Sequence, residues 1–137
     1  MTDIYVAIGP MTYNSDAKKA PKEFSAKAID ALKHAAERTI KAAPGFTIDK
    51  KGPGFQIRLK VAEVMPSPKG AACKVTGELL RLRDPSKPPE MLSTSLTGGG
   101  KAEGMAPDRA VVECLDSVVE GMLQKNVIPT MKAQANK

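Results

Sequence analysis

The residues best suited to chemistry by type and spacing fall into a few groups. Gly98-Gly99-Gly100-Lys101-Ala102 lies between a strand-like and a helix-like segment, a place where glycine-rich turns can wrap phosphate in backbone N–H groups. A nucleotide-type loop needs glycine where Ser95 stands and a hydroxyl where Ala102 stands. Both are missing, so the stretch reads as a flexible connector. The single histidine, His34, sits among Asp30, Lys33 and Glu37, which marks a solvated helix face rather than a triad or a metal ligand. Cys73 and Cys114 are too far apart in sequence for a zinc-type motif. Each falls on an apolar phase of its segment, so they read first as two buried structural thiols. A sheet-to-helix disulfide is the alternative.

Binding chemistry is better represented. The formal charge is +6. Residues 1–60 carry most of it, with eleven Lys/Arg against six Asp/Glu. A basic half of this kind favours anionic partners. Tyr13 with Lys18, Lys19 and Lys22 is a loop cluster that could stack on and neutralise nucleic acid. Lys50 and Lys51 form a second basic loop, and Arg58, Lys60 and Lys74 share the polar phase of two strand-like segments. These eight basic residues are the candidate partner-binding set. Against nucleic acid, no aromatic pair of the RNA-recognition type stands on the strands. Glu113, Asp116 and Glu120 make an acidic strip on the last helix. The basic face of the first helix, in a neighbouring copy, is a candidate for docking on it. Met11, Met65, Met91 and Met105 lie near predicted turns and could line an adaptable contact surface.

The elements that position these residues follow from hydrophobic period. Residues 4–8 form a short apolar run closed by Gly9-Pro10, a buried strand. Phe24, Ala28, Leu32, Ala35, Thr39 and Ile40 recur at helical spacing over 22–43, and Pro44-Gly45 stops that helix. Residues 46–48 suggest a short strand. From Phe55 the period becomes two, with Phe55, Ile57, Leu59 and Val61 on one phase. A second long strand carries Cys73, Val75, Gly77 and Leu79, and its apolar phase slips to Leu80 and Leu82, which implies a bulge near Gly77. A Ser/Thr-rich strand over 91–97 has the look of an edge. Pro107 and Asp108 then open a helix with an apolar stripe from Ala110 to Leu123. The expected domain spans 1–130, with 131–137 a polar, flexible tail.

The order is strand, helix, strand, strand, strand, strand, helix. It predicts an α+β two-layer sandwich, a mainly antiparallel sheet with both helices on one face. The stretches Gly54-Phe55-Gln56-Ile57-Arg58-Leu59-Lys60-Val61, Gly77-Glu78-Leu79-Leu80-Arg81-Leu82-Arg83-Asp84 and Ser93-Thr94-Ser95-Leu96-Thr97-Gly98 resemble, in order and texture, small envelope domains of the TolB amino-terminal type. The related lipoprotein activators of peptidoglycan synthases share that layout. The resemblance implies a docking or assembly role and carries over no site residues.

The function expected is therefore a non-catalytic protein-interaction or assembly module that can self-associate as an oligomer or filament subunit. Its protein partners would include copies of itself. Nucleic-acid binding through the basic half is the alternative. No enzyme activity, cofactor, metal or small-molecule substrate is expected. No apolar run approaches the ~20 residues of a membrane span, and the short run Ile4 to Ile8, led by Asp3, does not read as a signal peptide. The chain as written reads as cytoplasmic, or as an envelope protein if a leader was removed before Met1.

Overall fold

The computed structural model describes residues 3–136. Its elements are β1 (Ile4–Tyr13), α1 (Ser25–Ala42), β2 (Phe46–Thr47), β3 (Gly54–Ser67), β4 (Gly70–Leu82), β5 (Glu90–Glu103), α2 (Pro107–Met122) and α3 (Ile128–Gln134). A 3-10 turn, Lys22–Phe24, leads into α1, and a π turn, Leu123–Val127, joins α2 to α3. The strands make one five-stranded sheet in the order β2-β1-β3-β4-β5. β1 is parallel to both β2 and β3, because α1 supplies the crossover that parallel strands require. β3, β4 and β5 form an antiparallel meander. This is the expected α+β sandwich, with α1 and α2 against one sheet face.

The two-residue period of β3 and β4 decides which face is covered. Phe55, Ile57, Leu59, Val61, Cys73, Val75 and Leu79 are buried under the helices. Each fully buried large side chain contributes roughly 1.5–3 kcal/mol. The helices answer with narrow residues: Ala28, Ala31, Ala35 and Ala36 line the buried side of α1 around Leu32 and Ile40, so its backbone lies close to the sheet. The helix ends where Ala43 turns extended ahead of Pro44. α1 also meets α2 through charge, at Asp108 in the first turn and at Asp116 of the acidic strip. Lys27 Nζ lies 3.4 Å from Asp108 Oδ2, and Arg38 and His34 of α1 act on Asp116.

Several expectations need correction. β1 does not stop at Gly9-Pro10: a register shift between Ile8 and Met11 carries it on, and Met11, Thr12 and Tyr13 pair with Leu59, Lys60 and Val61. Gly9 takes φ +117° at that irregularity, a conformation that favours glycine. The 98–101 stretch is strand, not connector. A Cβ on Gly98 would lie 2.7 Å from Met122 Cγ, and one on Gly100 would lie 3.1 Å from Val118 Cγ2. The missing side chains are what seat α2 on β5. The segment after 130 begins as helix, not tail. Pro129 sits in the first turn of α3, and Met131 is fully buried. Cys73 and Cys114 are joined in a disulfide that ties β4 to α2 across 41 positions. Both expected phases were right, and they point the two sulfurs at each other. The expected bulge near Gly77 is present, as register shifts in the β4–β5 ladder between Gly77 and Leu80.

Candidate interaction surface

The alternate phase of β3 and β4 faces away from the helices. Arg58 stands opposite Glu78 in the ladder, with Nη1 and Oε1 4.0 Å apart. Lys60 pairs in register with Thr12 on one side and Thr76 on the other, and Thr76 pairs with Thr97. Three hydroxyls and one ammonium thus run in a row across four strands. A depression of about 410 Å³ lies over this region, lined by Pro10, Thr12, Arg58, Lys60, Glu78 and Thr94 among others. Thr12 and Thr97 are exposed and Thr76 is half-buried, so these hydroxyls and the partly solvated ion pair are open to hydrogen bonding. His34 is on α1, in the other layer of the sandwich.

The eight basic candidates do not form one patch. Arg58, Lys60 and Lys74 share the open face, as expected, but Lys74 stands across from Glu63 and Arg58 is paired to Glu78. Lys18 and Lys19 belong to a loop held at the far end of β3. There Val64 N donates to Lys19 O at 2.9 Å, Asn14 Nδ2 to Ala62 O at 2.8 Å, and Lys18 N to Asp16 Oδ1 at 3.0 Å. Lys22 follows in the 3-10 turn. Lys50 and Lys51 precede Gly54 at the opposite end of the strand, roughly 30 Å away at the rise of a β-strand. Lys51 there borders a groove of about 360 Å³ with Tyr5, Pro53, Leu82, Pro85 and Pro89. Tyr13 is not free to stack: it is half-buried, and its hydroxyl donates to Pro21 O at 2.6 Å. Desolvation, helped by Glu23, raises its pKa.

Two features were not visible in the sequence. Arg81 lies 4.6 Å over the Phe55 ring and donates from Nη1 to Gln134 O at 3.1 Å, which ties α3 to the sheet. Desolvation and Arg83 lower its pKa, with Glu90 opposing. The second is the length of the open edge. β5 runs for 14 residues and is the last strand of the sheet, with β4 as its one strand neighbour among the described residues. Most of it is exposed, including Met91 at 42%. Met65, at 56%, is exposed on the neighbouring hairpin.

No family model matches the chain, and no curated protein matches it in sequence. Solved structures match in fold. A PelC variant dodecamer from Paraburkholderia phytofirmans aligns at TM-score 0.54 and 13% identity, over 89% of this chain and 86% of that one. The hypothetical protein CT253 from Chlamydia trachomatis aligns at TM-score 0.55 and 11% identity, over 98% and 96%. A minor lipoprotein from Acinetobacter baumannii aligns at TM-score 0.45 and 10% identity, over 95% and 94%. The chain shares the architecture of the first two. No helix among the described residues is long and apolar enough to cross a membrane.

Proposed function

We propose that this chain is a non-catalytic interaction and assembly module that associates with copies of itself. The observation that carries the reading is the sheet's asymmetry. One face is sealed by α1 and α2, while among the described residues no helix or further strand lies on the other face or along the β5 edge. An open edge is a template for strand pairing. A fold neighbour solved as a dodecamer supports the same reading, as does the resemblance in element order to envelope docking domains. The open face offers hydroxyls, Lys60 and the Arg58–Glu78 pair, groups that bind. The nucleic-acid alternative gains nothing from the fold, since Glu63 and Glu78 interrupt the row of positive charge and Tyr13 is spent on Pro21.

Light scattering across protein concentration tests the proposal. A mass that rises above 14.5 kDa with concentration is expected. A monomer at every concentration would overturn it.

A further inference from the structure

The geometry points to the partner at this edge: a second copy of the chain, its β5 laid antiparallel to the first about a two-fold axis at Ala102. The inference rests on the assembly reading above and names the surface that performs it.

The edge is not uniform. Residues 90–96 of β5 contain both register shifts against β4, whereas pairing runs without interruption from Gly77↔Leu96 to Gly70↔Glu103. Irregularity of the first kind is how natural edges are blunted. The second half lacks it. It also contains no proline, and its glycine run leaves no side chain to fend off an approaching strand. Beyond the β4 ladder, the backbone hydrogen bonds next to this half are those of Gly104 and Met105 to Lys69 O. The outward N–H and C=O groups of residues 96–103 therefore have no protein partner among the described residues. Buried or not, a row of this kind is satisfied by water or by another strand.

The faces limit the possible registers. Gly98 and Gly100 point to α2, against Met122 and Val118. Thr97, Gly99, Lys101 and Glu103 therefore point to the open face, since side chains alternate along a strand. In a two-fold antiparallel pair, residues directly opposite must share a face, so the axis passes through a residue. With the axis at Gly100, Lys101 meets Gly99 and Glu103 meets Thr97, and no opposite charges face each other. With the axis at Gly99, Lys101 meets Thr97 and Glu103 meets Ser95. With the axis at Ala102, Lys101 of each copy faces Glu103 of the other, and this happens twice. Both side chains are exposed, and directly opposed Cβ atoms lie about 4.5–5.5 Å apart. Gly100 then faces Gly104, where φ +79° turns the chain away and ends the ladder. The two five-stranded sheets would continue as one. The helices of both copies would lie on one face and both threonine rows on the other.

Charge reversal tests the pairing. Lys101→Glu, Glu103→Lys and the double reversal are compared with wild type by sedimentation equilibrium, with circular dichroism as the check on folding. Each single reversal creates two like-charge oppositions and is expected to weaken the dimer about tenfold or more. The double reversal is expected to restore it to near the wild-type affinity. If wild type associates but the single reversals leave it unchanged, or the double reversal is no better than either, the pairing at Ala102 is overturned and the assembly reading stands. If wild type does not associate, both fall.

Discussion

The Tyr13 hydroxyl closes the loop between β1 and α1 by donating to the Pro21 carbonyl at 2.6 Å. Tyr13→Phe leaves that carbonyl without its partner and is expected to lower stability by about 1 kcal/mol, read from urea unfolding. Gly98 makes a sharper case. An alanine there would crowd Met122 and Val118, and a loss of about 1–3 kcal/mol is expected. Gly99→Ala is the contrast, because its nearest neighbour, Cys73 O, is 3.4 Å away. It should cost less than about 0.5 kcal/mol, as a surface substitution does. Equal losses at the two positions would contradict the seating of α2 on β5. Asp116 adds a pH dependence. Desolvation raises its carboxyl pKa, Glu113 and Glu120 add to that, and Arg38 and His34 oppose it. The folded chain therefore holds this proton more tightly than the unfolded chain. Its contribution to stability is full below the ordinary aspartate value and declines as pH rises through the raised one. Asp116→Asn should gain on wild type across that window, followed as urea midpoints over a pH series. No such trend would remove the desolvation account. At this scale the sequence was informative about phase and poor about partners. The spacing placed Cys73 and Cys114 on apolar sides, but a distance between a strand and a helix is not written in either local pattern.

Elements with a strong period were legible. The α1 stripe and the alternation in β3 and β4 bury the residues their periods assign. The second half of β5 was not, because glycine carries no phase and a run of it mimics a linker. A signal did exist: β4 spans 13 residues, and its residues 70–76 need a partner strand beyond 91–97. α3 was missed because residues 131–137 are mostly polar, although Ile128 and Met131 carry helical spacing and both are buried. The disulfide acts between elements. Opening a loop of 41 positions is expected to cost about 4 kcal/mol in the chain-entropy account. Cys73→Ser with Cys114→Ser, or reduction, should shift the urea midpoint down accordingly. An unchanged midpoint would show that packing of α2 on β4 and β5 suffices without the link.

For the whole molecule, the fold class followed from element order, because an antiparallel meander with two amphipathic helices has few other ways to bury its apolar faces. The site was harder to read, since surface lysines have no period that says which end of a strand they reach. Assembly is proposed to run through the uncovered edge of the sheet. Amide hydrogen exchange at rising protein concentration tests it most directly. Outward-pointing amides beside Ala102, within residues 101–103 of β5, should become protected as the mass rises, while the exposed loop around Lys50 and Lys51 stays unchanged. Exchange of the β5 amides that is independent of concentration, in a protein whose mass does rise, would contradict the claim.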